Sequence, residues 1–183
     1  MASEGRQVTS SQELGERLGI SAAQIRKDLS QFGEFGKQGT GYHIDFLIEQ
    51  LLRILKVDRE WDVAVIGAGD IGNAVMRYGG FANRGFHIKM IFDADPEKIG
   101  AQIGSFTVQD SSGMVPAIKE VGIKIAMLAV PAESAQQVAD DLVEAGVKAI
   151  LNYAPISISV PPDVYVEYID PATHLQHMTY YLD

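Results

Sequence analysis

The sequence predicts an α/β chain in two parts: a helix-turn-helix head with a glycine-rich hairpin, then a doubly wound parallel sheet closed by a terminal helix. Three observations predict it. Two short serine-capped helical segments stand near the start of the chain. A β-branched run, Val63 to Ile66, leads into Gly67, Gly69 and Gly72 at G-x-G-x-x-G spacing. Beyond it, strand-like apolar runs alternate with amphipathic helical ones, the pattern of a parallel sheet with helical crossovers. The expected domains are 1–58, 59–169 and 170–183.

In the head, Ser10 and Glu13 have capping-box spacing before a helix with Leu14 and Leu18 on one face, and Gly19 ends it. Ser21 and Gln24 repeat the device. The second helix, Ala22 to about Phe32, places Ile25, Leu29 and Phe32 inward and leaves Arg26, Lys27 and Ser30 outward. Two capped helices joined by a glycine turn form a helix-turn-helix unit, whose second helix would enter a major groove. The glycines from Gly33 to Gly41 then read as a hairpin wing, with Lys37 and Gln38 near its tip. Candidate DNA contacts are Ser21, Ala22, Gln24, Arg26, Lys27, Ser30, Lys37 and Gln38. Asp45 is expected to cap a helix through Leu55, with a linker over Lys56 to Trp61.

The glycine turn has the mechanics of a dinucleotide site. Gly67 makes the tight turn, Gly69 lets backbone approach a pyrophosphate, and Gly72 lets helix and strand pack closely. The helix N-terminus would hold phosphate oxygens, so Ala68, Asp70 and Ile71 join the glycines as candidates. A second strand, His87 to Phe92, ends in Asp93, about twenty residues past the glycines, where an acid accepts from an adenosine ribose. The competing role for Asp93 is to cap the turn Asp-Ala-Asp-Pro.

Further strands are expected at Gly104–Val108, Ile123–Val130, Lys148–Asn152 and Val164–Ile169. Helices are expected at Gly113–Val121, Glu133–Ala145 and Pro171–Leu182. Ligands of such sheets lie beyond the carboxyl ends of the strands, so Val130, Pro131, Asn152 and Tyr153 are candidates for the nicotinamide side. His174 and His177 have helical metal-ligand spacing but no third ligand, and no metal is expected.

Composition sets the limits. The chain has 183 residues, 46% hydrophobic and 21% charged, enough for a packed core. It has no cysteine, which excludes disulfides and thiolate chemistry. It has no apolar run of the roughly 20 residues that span a bilayer, and its polar N-terminus is no signal peptide. A cytoplasmic setting is expected. A net charge of −9 argues against indiscriminate nucleic-acid binding. The acidity lies mainly past residue 60, and Arg17 to Lys37 has a local basic excess, so DNA binding would rest on specific contacts and dimerisation.

The run Gln24-Ile25-Arg26-Lys27-Asp28-Leu29-Ser30, with Phe32-Gly33, Phe35-Gly36 and Gly41-Tyr42, resembles the redox-sensing transcriptional repressor Rex family. Phe92-Asp93-Ala94-Asp95-Pro96-Glu97-Lys98-Ile99-Gly100, Ala129-Val130-Pro131 and Ile150-Leu151-Asn152-Tyr153-Ala154-Pro155 resemble it as well. The resemblance implies a homodimer of winged-helix and NAD(H)-binding Rossmann domains. It implies operator binding when NAD+ dominates and release on binding NADH. It places Ala22, Arg26 and Lys27 on the recognition helix, and implies a hydrogen-bond switch through Tyr78 and Asp170 at the domain interface. The terminal helix is expected to be exchanged between subunits.

Three departures from the family pattern stand out. A helix that family members carry before Thr9 is missing from the pattern, Gln38 stands where related wings often have arginine, and Pro171 follows Asp170 where a bulky apolar residue is frequent. Two other functions compete. An NAD-dependent dehydrogenase would need an acid or base near the nicotinamide, and His43, His87, His174 and His177 lie outside the predicted strand ends. A CoA-binding domain shares the architecture, and Asp93 argues against it and against NADP.

Overall fold

The computed structural model describes residues 5–33, 35–37 and 41–182, and for Gly36 and Lys37 the backbone alone. It comprises two compact units, Met1–Arg59 and Glu60–Asp183. The first contains β1 (Val8–Thr9), α1 (Ser11–Leu18), α2 (Ala22–Ser30), β2 (Gly36–Lys37), β3 (Gly41–His43) and α3 (Ile44–Ile54). The strands form an antiparallel sheet in the order β1-β3-β2. Gln38 and Thr40 of the expected wing tip lie outside the described residues.

Each of the first two helices forms half of its expected capping box. Ser10 Oγ accepts from Glu13 N–H and Ser21 Oγ from Gln24 N–H, both at 3.1 Å. The return bonds are absent, because Glu13 turns to Thr9 Oγ1 and Arg6 while Gln24 reaches forward to Asp28. Gly15, buried in α1, lets the two helices close up. A Cβ there would stand 2.5 Å from the Ile20 carbonyl oxygen. Ile25 is buried, but Phe32 is exposed rather than inward, because α2 stops at Ser30 and the helical period is lost. Leu18 is exposed too. Asp45 is not the cap of α3. His43 holds that position without a side-chain bond, and Asp45 lies in the first turn, where its charge suits the helix dipole.

The second unit follows with β4 (Trp61–Ile66), α4 (Asp70–Arg77), β5 (Phe86–Asp93), β6 (Gln102–Ile103), β7 (Phe106–Asp110) and α5 (Met114–Val121). It ends with β8 (Ile125–Leu128), α6 (Ala132–Glu144), β9 (Ala149–Asn152), β10 (Tyr165–Tyr168) and α7 (Pro171–Thr179). The seven strands are ordered β10-β9-β8-β4-β5-β7-β6, parallel except for β6. The chain starts at β4 in the middle, winds outward through β5 and β7, then returns beside β4 as β8. That reversal opens a crevice between β4 and β8.

Alternation along β4 explains why both faces are covered. Val63 and Val65 enter one core with Val75 and Met76 of α4, and Ala64 and Ile66 enter the other with Ile118 of α5 and Leu142 of α6. Period two with apolar residues on both sides is the signature of a strand buried front and back. The strand expected at Gly104–Val108 is instead a hairpin: β6 and β7 turn at Gly104, whose φ is 62°. Trp61 belongs to β4 rather than to the linker.

The turn from β4 to α4 is fixed by backbone contact. Gly67 has φ 101° and donates its N–H to Phe92 O at 2.8 Å. A Cβ on Gly67 would lie 2.2 Å from Ala129 O, and one on Gly72 would lie 1.9 Å from Gly67 O. A Cβ on Gly69 would meet nothing within 4 Å. Gly72→Ala is therefore expected to destabilise the fold by about 1–3 kcal/mol, the usual cost of overpacking. Gly69→Ala should cost no more than the ~1 kcal/mol of a poorer N-cap. Thermal unfolding of the two variants tests this, and equal shifts in Tm would contradict it.

Candidate dinucleotide site

The crevice is a cleft of about 670 Å³. Its floor is Ile66 and the turn through Gly67 and Gly69 into Asp70 and Ile71. One wall comes from the segment after β5, with Asp93, Ala94, Asp95 and Lys98, and the other from Ala129, Val130, Pro131, Ser134 and Val138 around the start of α6. The strands hold these walls in register: Ala129 N–H donates to Ile66 O and Gly67 N–H to Phe92 O, both at 2.8 Å. The amino end of α4, with Gly69 as its N-cap and no side chain occupying the cap, opens at this cleft. Unpaired N–H groups there favour an anion.

Asp93 is the charged centre of the wall. Its Oδ2 accepts from Ala68 N–H at 2.6 Å and its Oδ1 from Asp95 N–H at 2.8 Å. Lys98 Nζ lies 3.6 Å from Asp93 Oδ2 and 3.4 Å from Asp95 Oδ2. Partial burial pushes the Asp93 carboxyl up, but the two backbone N–H groups and the Lys98 ammonium outweigh it and hold the group below its ordinary value. Asp93 thus ties the Asp-Ala-Asp-Pro turn and at the same time lines the cleft.

The remaining candidates divide. Gly67, Gly69, Asp70, Ile71, Asp93, Val130 and Pro131 line the cleft together. Gly72 serves by packing on Gly67, and Ala68 by donating its N–H to Asp93. Asn152 does not reach this cleft. It is buried, and its amide folds its own loop, donating to Ile156 O and accepting from Ala154 N–H, both at 2.9 Å. Tyr153 lines an adjoining apolar pocket of about 320 Å³ with Ala74, Val75, Pro155, Ile169, Asp170 and Pro171, and Ile71 borders both spaces. Lys98, Ser111 and Ser134 were missed by the sequence reading. Lys98 alone left a signal, five residues past Asp93 on the same turn.

Of the switch pair, Asp170 N-caps α7, accepting from Ala172 N–H at 2.9 Å and Thr173 Oγ1 at 2.7 Å. Those bonds, the Thr173 hydroxyl first, keep its carboxyl below the usual value. Tyr78 ends α4 and packs edge-on to Phe81 at 5.0 Å. The two residues make no hydrogen bond to each other in this structure. In the first unit, Gln24, Arg26, Lys27 and Ser30 are exposed along α2, and Ala22 is half-buried. Arg26 Nη1 donates to Ser11 Oγ at 3.0 Å, and Ser30 Oγ donates to Lys27 O at 2.7 Å.

Comparison with known proteins agrees with this division. Residues 58–156 match the family model described as "CoA binding domain", and residues 1–30 match the one described as "Putative DNA-binding protein N-terminus". The redox-sensing transcriptional repressor Rex of Chloroflexus aurantiacus is 55% identical over 179 residues, covering 98% of this chain and 84% of that protein. Redox-sensing transcriptional repressor Rex 1 of Thermotoga maritima is 48% identical over 178 residues, covering 97% and 85%. The crystal structure of RSP in complex with β-NAD+ and operator DNA matches with TM-score 0.92 at 40% identity, covering 96% of this chain and 81% of RSP. RSP in complex with β-NADH matches with TM-score 0.88 at 37% identity, covering 99% and 84%. Through its sheet unit the chain carries the CoA-binding-domain fold, and as a whole it belongs to the redox-sensing transcriptional repressor Rex family.

Proposed function

We propose that this chain is a transcriptional repressor that senses the NADH/NAD+ ratio, holding operator DNA when NAD+ dominates and releasing it when NADH binds. It regulates rather than catalyses. The observation that carries this is the presence in one chain of a helix-turn-helix unit, with cations exposed on its second helix, and a Rossmann cleft whose wall carries the Asp93 carboxylate, held below its ordinary value. RSP, at 37–40% identity, has been crystallised with both β-NAD+ and operator DNA and with β-NADH.

The residues fit the dinucleotide. Gly69 leaves open space beside the amino end of α4, where the backbone from Gly67 to Gly72 would hold the pyrophosphate. Asp93 would accept from the adenosine ribose and repel a 2′-phosphate, which disfavours NADP. Val130 and Pro131 would form the opposite wall. The nicotinamide ring carries a positive charge when oxidised and none when reduced. The space beyond Ile71, bordered by Tyr153, is lined mostly by apolar groups, which penalise a buried charge and favour the reduced form, while the Asp170 carboxylate in the same lining attracts the oxidised ring and opposes that preference. The operator-bound and free states then shift only by the difference in their cofactor affinities, with Tyr78 and Asp170 proposed as the hydrogen-bonding pair that differs between them.

Ser21, Ala22, Gln24, Arg26, Lys27 and Ser30 on α2 would meet the operator, with Lys37 and Gln38 from the wing. We take the working form to be a cytoplasmic homodimer that exchanges α7. Leu175, Met178, Tyr180 and Tyr181 are all more than half exposed at the end of this chain, an apolar surface suited to burial in a second copy. No helix among the described residues is long and apolar enough to cross a membrane.

Asp93→Ala is expected to weaken NADH binding at least tenfold, the scale of losing a charge-assisted hydrogen bond. Titration calorimetry checks it, and unchanged affinity would remove the site assignment. Arg26→Ala with Lys27→Ala should abolish operator binding in a mobility-shift assay while NADH affinity stays at the wild-type value. Loss of both activities would mean that the two units were assigned wrongly.

A further inference from the structure

The turn after β5 brings three charges together at the cleft wall. Asp95 N–H bonds Asp93 Oδ1, Glu97 N–H bonds Asp95 Oδ1 at 3.0 Å, and Lys98 N–H bonds Asp95 O at 2.9 Å. This ladder of backbone bonds closes the turn under Pro96 and sets the Lys98 stem beside both acids. Its ammonium stands 3.6 Å from Asp93 and 3.4 Å from Asp95, and Lys98 itself lines the cleft. The Asp93 side chain is 11% exposed and that of Lys98 is 41%, so the anion is the sheltered partner and the cation bridges outward.

Counting acceptor positions shows what this leaves for a ligand. An ionised carboxylate offers about four lone-pair sites. Ala68 N–H, Asp95 N–H and Lys98 approach Asp93, which leaves an acceptor position for a ribose hydroxyl. Without the ammonium, two carboxylates would adjoin at the place where an anionic dinucleotide must enter, and like charges disfavour ionisation of one another.

We propose that Lys98 is the positioning residue of the ribose end: it bridges Asp93 and Asp95 and so holds the Asp93 carboxylate in place as the acceptor for a ribose hydroxyl. The proposal rests on reading the cleft as the dinucleotide site. It makes cofactor affinity depend on a cation that need not touch the cofactor. Removing that cation leaves Asp93 ionised at neutral pH, because the Ala68 and Asp95 N–H groups still hold its carboxyl down. What is lost is the bridge that offsets the Asp93–Asp95 repulsion and fixes the direction of the acceptor.

NADH titration calorimetry at neutral pH on the full chain tests this with Lys98→Met, Lys98→Arg and Asp93→Ala, each checked for folding by thermal unfolding. Lys98→Met should bind NADH about tenfold more weakly. Lys98→Arg, which keeps the bridging charge, should restore the wild-type affinity. Should Lys98→Met fail to fold, Lys98→Gln, which keeps a polar stem without the charge, carries the same expectation. Wild-type affinity in Lys98→Met would overturn the proposal. So would Lys98→Arg behaving like Lys98→Met, because stem packing rather than charge would then matter. If Asp93→Ala also binds like wild type, the assignment of the cleft itself fails, and that outcome is distinct from a failure confined to Lys98.

Discussion

A hydrogen bond of 2.6 Å joins Ala68 N–H, in the glycine turn after β4, to the carboxylate of Asp93 at the end of β5. It fixes the two sides of the cleft to each other: the glycine turn that opens α4 and the carboxyl end of β5. The bond exists only because the chain can turn tightly at Gly67 and because α4 can lie against that turn at Gly72. The same bond helps keep Asp93 ionised, so one contact couples the shape of the site to its charge. β7 also ends in an acid, Asp110, and β9 in the amide Asn152, but Asp93 is the strand-end carboxylate that lines the cleft.

Much of this is legible in the residues because it follows from backbone geometry. The spacing of Gly67, Gly69 and Gly72 states where a side chain is impossible and where it is merely unwanted. Alternation along Val63 to Ile66 states that both faces are covered. What the sequence hides is any detail that depends on a side chain choosing among several partners. Asn152 is a polar residue at a strand end, and nothing in its neighbours says that its amide closes its own loop. Ser111 and Ser134 reach the cleft only through the course of the sheet, which a local pattern does not contain. The β6–β7 hairpin was hidden for a similar reason: two residues on one side of Gly104 carry too little periodicity to register as a strand.

The head unit was harder to read in detail. Ser10 and Ser21 announce their helices correctly, yet the reciprocal half of each capping box is lost to competition from Thr9, Arg6 and Asp28. Gly15 looks like a weak point inside a helix, where glycine is disfavoured. Its place against the Ile20 carbonyl shows that it instead sets how closely the two helices approach. Val8–Thr9 is too short for propensity to detect, and it becomes a strand only by pairing with β3. Residues of α2 that face solvent were identified from helical period alone, whereas the bond from Arg26 to Ser11 needed the tertiary fold.

Coupling between the cofactor cleft and the helix-turn-helix unit is measured directly by operator binding with each cofactor in turn. In a fluorescence-anisotropy titration with labelled operator DNA, saturating NAD+ should leave the protein bound. Adding NADH should release it, with the midpoint set by the ratio of the two rather than by either alone. Operator affinity that is indifferent to NADH would contradict the account.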